Sequence, residues 1–598
     1  MELPNSIEPS RYQWVGNFNH NLNGHTEISK DGLLLCDGSE RCQLNEKNHS
    51  FIVPINSEID LFNRSIETIG EEAIDSCSST LSPMLPAVVI DSESKLLPFE
   101  ELLLEVLDRG HLHQISIRPR IDIRYDDEVV DIARAKRLGK GALVHLASHS
   151  EDWQRQTLSG VVPKKVLARF SEDDHNIYEN RIYARLLDKI DEHLKRRLSS
   201  LKSLQVTLDH AKEFYQSENI DYRLANEICR LWGITFSESS TSKASELLDG
   251  VLTSLQFLHK SIRGLKQSGL YLLISRNTKV GNTLYRTNIL NHDAHYRNLL
   301  ILWEQLNKVS LKVSPKEQFE HNEMLANAYS NYVGLVLKHA LQPYLNHENE
   351  KEWAGRKIKL QKNNLEWELL SESDNGLESE ILFTLIPWLA YVPKPENLIK
   401  IPQNIFIAWP GLEQNIKEAA YHENWIPVSP LDMYCIERLG LLVDKIMCGK
   451  VISTFSKPIT KIPKQSLALS RRLSHIAVDS ESYQVEVQGE VLKEDLDKLQ
   501  STLMRENASS QAYDLILRSE EILFLIKCPV CNSRTKLYFQ ETGFKINCNN
   551  CKTGRYFRKE REFYEFEQVY MNLSEKNDFF KYGRNSYSFK YIDNGLYF

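Results

Sequence analysis

The chain has 598 residues, with 73 Lys plus Arg against 81 Asp plus Glu and a net charge of −8. That balance excludes a uniformly basic nucleic-acid coat while leaving local basic patches open. Apolar residues at 41%, with 25 Gly and 20 Pro, exclude a disordered or fibrous chain, and at roughly 150 residues per domain the length predicts about four domains.

No run of about 18 apolar residues occurs, so neither a membrane span nor a membrane partner is expected. The start, Met1-Glu2-Leu3-Pro4, lacks the basic and apolar regions of a secretory signal, which points to a cytoplasmic location. Of ten cysteines, Cys36, Cys42, Cys77, Cys229, Cys435 and Cys448 are scattered, and four cluster near the end. That distribution suits a reducing compartment and one metal site.

In chain order the residues read as an α+β multidomain protein. Residues 1–155 read as a β-rich N-terminal domain, with strands at Phe51-Ile52-Val53-Pro54-Ile55, Val88-Val89-Ile90 and the alternating Gln114-Ile115-Ser116-Ile117-Arg118. After the second of these, Glu93-Ser94-Lys95 has the acid-x-Lys spacing of a metal nuclease. So short a motif arises often by chance, and it reads as a turn.

Residues 156–346 read as a helical domain. Ile182, Leu186, Leu187, Ile190 and Leu194 recur at helical spacing, with Lys195-Arg196-Arg197 placed to close that helix against its dipole. Leu247, Leu248, Val251, Leu252, Leu255, Leu258, Ile262 and Leu265 make a second stripe that ends before Gly269. His292-Asp293-Ala294-His295 offers two imidazoles, read as surface or core residues and not as metal ligands.

Residues 347–452 read as an α/β domain. Ile358 and Leu360, the turn Asn363-Asn364, then Leu365, Trp367 and Leu369 predict a hairpin. Strands follow at Ile381–Ile386 and Ile405–Trp409. Ser429, Pro430 and Asp432 then suit the start of a helix that buries Ile436, Leu439, Leu442, Val443 and Ile446. Residues 453–520 read as a basic linker followed by helices. Lys457, Lys461, Lys464, Arg471 and Arg472 could track a phosphate backbone or decorate a solvated connector.

Residues 521–598 carry Cys528-Pro529-Val530-Cys531 and Cys548-Asn549-Asn550-Cys551, a CxxC-x16-CxxC pattern. Two such knuckles complete a tetrahedral four-thiolate zinc site, with Lys536–Phe539 and Gly543–Ile546 as the hairpin of a zinc ribbon. Four protein ligands leave no open position, so the expected Zn²⁺ is structural. From 528 to 598 there are 12 Lys plus Arg, 8 Asp plus Glu and 17 Phe plus Tyr. That mix suits single-stranded nucleic acid, a protein partner, or simply a small aromatic core.

Three stretches resemble the McrC-like proteins of bacterial modification-dependent restriction and related antiphage systems. They are Pro163-Lys164-Lys165-Val166-Leu167 through Tyr178-Glu179-Asn180-Arg181-Ile182-Tyr183; Thr287-Asn288-Ile289-Leu290 with Tyr296-Arg297-Asn298-Leu299-Leu300 and Trp303; and the Pro427-Val428-Ser429-Pro430 turn. The resemblance implies a restriction-endonuclease-like fold of the PD-(D/E)xK type at 347–452, with Mg²⁺ held by an acid on one strand and an acid-x-Lys on the next. It also implies a separate ATP- or GTP-driven motor as partner, and no Walker A sequence occurs in this chain.

The residues themselves depart from that pattern, because no acid-x-Lys occurs between 310 and 470. Glu366 and Glu368 share one strand face, and with Glu380 they are the candidates if an Mg²⁺ site exists. The leading expectation is thus a non-catalytic DNA-engaging recognition or scaffold subunit of an antiphage or restriction complex. The alternatives are an active Mg²⁺-dependent DNA nuclease with a displaced site, and a protein–protein adaptor.

Overall fold

In the computed structural model the described residues are 6–7, 41–44, 47–51 and 58–75, then 81–597 apart from 159, 217–218, 276–278, 282, 310–313, 347, 373–378, 390–403, 412–423, 456, 541–542, 561–562, 573–577 and 593–594. The chain is a mixed α+β protein with several separate sheets and a four-cysteine cluster near its C-terminal end. Among the described residues no helix is long and apolar enough to cross a membrane.

Two compact units form, and both are discontinuous in sequence. One comprises Ser94–Leu201 and Leu247–Lys312; the other comprises Met1–Glu93, Lys202–Glu246 and Val313–Phe598. The helices Tyr178–Gln216 and Glu238–Lys266 each supply residues to both.

In the Ser94–Leu201/Leu247–Lys312 unit, helices Pro98–Asp108 and Arg297–Val309 pack together. A two-stranded ribbon pairs Asp122–Asp131 with Lys165–Asp174 over ten residues, and a second pairs Trp153–Thr157 with Gly160–Pro163.

Two strand expectations here fail for the same reason. Gln114–Ile117 lies in the helix His111–Ile117, where Leu112, Ile115 and Ser116 are buried at i, i+3, i+4 while Ile117 is 71% exposed. Val88–Ile90 lies in the helix Ala87–Glu93 of the other unit. Three or four apolar residues cannot by themselves distinguish a strand from one buried helical turn. Glu93 is accordingly no nuclease acid: it is buried and ion-paired with Arg64. Among the described part of 1–155, helices Glu58–Asp75, Ala87–Glu93, Pro98–Asp108, His111–Ile117 and Ala142–Ser148 replace much of the expected β-rich domain. Of the Phe51–Ile55 strand, Phe51 ends the strand Lys47–Phe51, and Ile52–Ile55 lie outside the described residues.

The basic triplet does not close its helix. Arg197 is buried against Glu100, at 3.4 Å from Nε to Oε1, and the helix continues to Gln216. A paired, buried arginine is an ordinary helix-interior residue.

The other unit is built around the helix Cys435–Thr454, whose Ile436, Leu439, Leu442, Val443 and Ile446 are all buried. It starts at Cys435, later than Ser429-Pro430 suggests. Leu431 N–H donates to Ser429 Oγ and Tyr434 N–H to Asp432 Oδ1, so a turn precedes the helix. It packs against the helix Pro315–Ala340, the strand Trp425–Pro427 and the strand Tyr587–Ile592. Ser314 and Glu317 form a reciprocal capping box at the start of Pro315–Ala340.

Two six-stranded sheets flank this core. In the first the order is 425–427, 405–409, 379–387, 366–372, 356–363, 350–353. The four strands from 350 to 387 form an antiparallel meander, and Ile405–Trp409 and Trp425–Pro427 add in parallel. The hairpin turns at Asn364, which adopts φ 54°, as Asn does more readily than most residues. The second sheet is an antiparallel meander of strands 536–540, 543–547, 554–559, 564–569, 587–592 and 595–597. The stretch between them is a packed body and no open connector. Ile459, Ile462 and Leu467 share a core with Val485, Leu499, Leu503, Leu515 and Ile522.

Candidate metal centre and carboxylate face

Cys528 and Cys531 follow the helix Ser509–Ile526, and Cys548 and Cys551 link the strands Gly543–Asn547 and Gly554–Lys559. The two knuckles repeat one geometry. Cys528 N–H donates to Ser533 O and Asn532 N–H to Cys528 O; Cys548 N–H donates to Thr553 O and Lys552 N–H to Cys548 O. Asn532 and Lys552 take φ 57° and 58° to close the turns.

The four sulfurs lie within 4.8 Å of one another, with Cys528–Cys551 at 3.5 Å and Cys531–Cys548 at 3.4 Å. These separations are far beyond an S–S bond of about 2.05 Å and approach the ~3.8 Å that a tetrahedron of 2.3 Å zinc–sulfur bonds requires. Among the described residues no other group of three or more His, Cys, Asp or Glu side chains comes this close together.

Backbone N–H groups of Val530 and Cys531 aim at Cys528 Sγ, and those of Asn550 and Cys551 at Cys548 Sγ. Ser533 Oγ lies 2.9 Å from Cys531 Sγ, and Thr553 Oγ1 lies 3.0 Å from Cys551 Sγ. Burial opposes ionisation of Cys531, but hydrogen bonds from the Ser533 hydroxyl and N–H and from the Cys548 and Cys551 thiols outweigh it and hold the thiol down at about 6. Such donors stabilise thiolates and fix their direction. The residues therefore fit a metal ion, and four thiolates favour Zn²⁺ in a closed role. Cys229, Cys435 and Cys448 are unpaired thiols, while Cys36, Cys77 and the Cys42 side chain lie outside the described residues.

The candidate carboxylates come together only in part. Glu366 and Glu368 share a face of the strand Glu366–Glu372. Burial and then the charge of Glu368 push the Glu366 carboxyl above its usual range. Their cross-strand partners are Asn363 and Gln361, and Gln361 Nε2 donates to Glu368 Oε2 at 2.9 Å. On the other side Thr384 stands opposite Glu368.

Glu380 lies four residues further along that strand, about 13 Å away. A register shift leaves Leu382 without its own partner between Phe383 and Ile381, and Glu380 is ion-paired with Lys450 Nζ at 2.6 Å. The three glutamates do not form one ligand group.

The five cations Lys457, Lys461, Lys464, Arg471 and Arg472 are exposed on the packed body between the sheets, and Arg471 is bonded to Ser480 Oγ. His292 and His295 do not pair. His295 Nδ1 instead meets His111 Nδ1 at 3.0 Å, and Asp293 is held by Arg120 at 2.6 Å.

The Glu179-Asn180-Arg181 and Thr287/Tyr296 stretches, more than 100 positions apart, meet in the structure. Thr287 Oγ1 donates to Glu179 Oε1 at 2.6 Å and Tyr296 Oη to Asn180 Oδ1 at 2.7 Å. Comparison with protein families, with curated proteins and with solved structures finds no match.

Proposed function

We propose that this chain is a non-catalytic, DNA-engaging recognition or scaffold subunit of a bacterial antiphage or restriction complex, acting in the cytoplasm with a separate ATP- or GTP-driven motor or nuclease. In this reading residues 347–452 are a restriction-endonuclease-like unit that has lost its chemistry. The observation that carries it is the pairing of Glu366 and Glu368 with Asn363 and Gln361, where a metal nuclease needs a lysine beside its acids. Lys359, on the same face of the neighbouring strand, stands opposite Leu370 and not opposite either acid, and Lys450 is committed to Glu380. DNA contact is assigned to Lys457, Lys461, Lys464, Arg471 and Arg472, which are all exposed.

The test uses full-length protein with verified zinc content: duplex DNA binding across a salt series, then incubation with Mg²⁺ or Mn²⁺. Binding that weakens steeply with salt, without cleavage, is the expected result. The close Glu366–Glu368 pair favours one competing reading, a nuclease with a displaced Mg²⁺ site. Cleavage that persists through purification and disappears in Glu366→Ala/Glu368→Ala would establish that alternative.

A further inference from the structure

The C-terminal sheet buries one face and leaves the other open. Phe544, Ile546, Phe557, Phe566 and Phe589 point inward, and Phe455 at the end of the core helix lies 4.9 Å from the Phe544 ring. Residues directly opposite in an antiparallel sheet share a face, so the register defines the outer one. One row runs Tyr538–Lys545–Tyr556, a second Lys536–Asn547–Gly554, and a third Gln540–Gly543–Arg558. Across these three strands the outer face carries three cations, two tyrosines and no acid. Acids begin only on the fourth strand, at Glu565 and Glu567.

The two tyrosines differ in exposure, with Tyr538 open and Tyr556 half-buried. Tyr538 is 57% exposed. The Tyr556 ring lies over Gly554, where an added Cβ would come within 2.6 Å of its hydroxyl oxygen. Lys545 Nζ and Arg558 Cζ stand 5.6 and 4.9 Å from the Tyr556 ring centre. Two strand spacings, about 10 Å, separate the Tyr538 and Tyr556 backbones, with Lys545 between them.

We infer that this face is a stacking platform for single-stranded nucleic acid: bases lie on Tyr538 and Tyr556, and Lys536, Lys545 and Arg558 neutralise the phosphates. Charge complementarity selects a polyanion, and the exposed Tyr538 ring beside the half-buried Tyr556 selects unpaired bases, because a duplex offers no free π-face. This deepens the DNA-engaging reading and rests on it, while adding a substrate class and a site apart from the five cations of residues 457–472.

The test is fluorescence anisotropy on the full-length protein with a 20-nucleotide oligo-dT, an oligo-U of equal length and a duplex. Zinc content and circular dichroism verify folding of each variant. The platform predicts tighter binding of both single strands than of the duplex. It also predicts about a tenfold loss of single-strand affinity in Tyr538→Ala, and a salt slope shallower by about 0.7 in Lys545→Ala. An oligo-dT to oligo-U ratio near one marks backbone-and-base recognition without a sugar preference, and a larger ratio names the preferred strand. Duplex binding that equals single-strand binding and ignores Tyr538→Ala would overturn the platform and leave DNA engagement standing. Absence of binding to all three oligonucleotides at low salt would overturn both.

Discussion

The Tyr296 hydroxyl donates to Asn180 Oδ1 at 2.7 Å and accepts from the Arg120 N–H at 3.0 Å. Asn180 Nδ2 in turn donates to the carbonyls of Arg120 and His175, at 2.8 and 2.9 Å. Asn180 is fully buried and Tyr296 nearly so, which pushes the phenol up to about 12. One side chain thus ties the start of the long helix to the segment before the ribbon and to the turn before Arg297–Val309. A buried polar group stripped of its partner costs its full desolvation.

Tyr296→Phe should therefore destabilise by about 1–3 kcal/mol, because it leaves both the Arg120 N–H and Asn180 Oδ1 without a partner. Asn180→Ala should cost a similar amount, and the double variant clearly less than the sum, since the two remove one network. Denaturant unfolding of the three variants measures this. Strict additivity would mean the pair is not coupled.

Gly334 sets the approach of the helix Pro315–Ala340 to the hairpin. A Cβ there would fall 2.0 Å from the Trp367 ring. The indole cannot swing aside, because its Nε1–H donates to Ser330 O at 2.9 Å while Ser330 Oγ donates to Leu365 O at 2.6 Å. Alanine gains up to ~1 kcal/mol of helix propensity over glycine, whereas overpacking costs about 1–3 kcal/mol. Gly334→Ala is expected to lower stability on balance, and adding Trp367→Phe should recover part of the loss. A more stable single variant would contradict this packing.

Asp444 gives the fold a pH dependence. It is half-buried on the core helix facing Arg584, Glu437 and Tyr344, with Cys448 one turn on, and the Tyr344 hydroxyl donates to its Oδ1 at 2.7 Å. Burial dominates over Arg584 and raises its carboxyl to about 6. Since the folded-state value is raised, its contribution is fully present below the unfolded value near 4 and is lost as pH rises through about 6. The loss is on the order of 2–3 kcal/mol. Asp444→Asn should shrink the fall in unfolding free energy between pH 4.5 and 7.5, read from urea titrations, by about 2 kcal/mol. Parallel curves for the variant and the natural chain would show that Asp444 is ionised throughout.

Legibility in the sequence followed how local each signal was. The Asn363-Asn364 hairpin, the apolar face of Cys435–Thr454 and the four cysteines are set within a few residues, and all are present. Short apolar runs such as Val88–Ile90 and Gln114–Ile117 misled, because their period was decided by what packs on them and not by the run itself. Arg197 looked like a helix terminus because its partner, Glu100, is 97 positions away. The candidate carboxylates show the same limit. Spacing alone put Glu366 and Glu368 on one face, but only the cross-strand register reveals Asn363 and Gln361 opposite them and the shift that sets Glu380 apart. The Ser314–Glu317 capping box is another local signal, a Ser-x-x-Glu pattern set within four residues.

The cysteine cluster yields the last prediction. Purified protein should carry one Zn²⁺ per chain, bound by all four thiolates. Cys548→Ser removes one ligand and the hydrogen-bond acceptor of Asn550 and Cys551 N–H, so metal content should fall well below one and both knuckles should loosen. The consequence reaches beyond the knuckles, because Arg555, in the strand after Cys551, is buried and donates to the carbonyls of Leu525 and Lys527. A metal held by the four thiolates would reinforce this Arg555 link between the helix Ser509–Ile526 and the six-stranded sheet. Chelation at neutral pH should lower the melting temperature and open the Gly554–Lys559 strand to hydrogen exchange, with Zn²⁺ restoring both. Ser533→Ala keeps all four ligands and loses one hydroxyl 2.9 Å from Cys531 Sγ. It should bind zinc about 10-fold more weakly, at the lower end of the range for such outer partners. If the Cys548→Ser variant melted at the same temperature as the natural chain, the cluster would have no structural role.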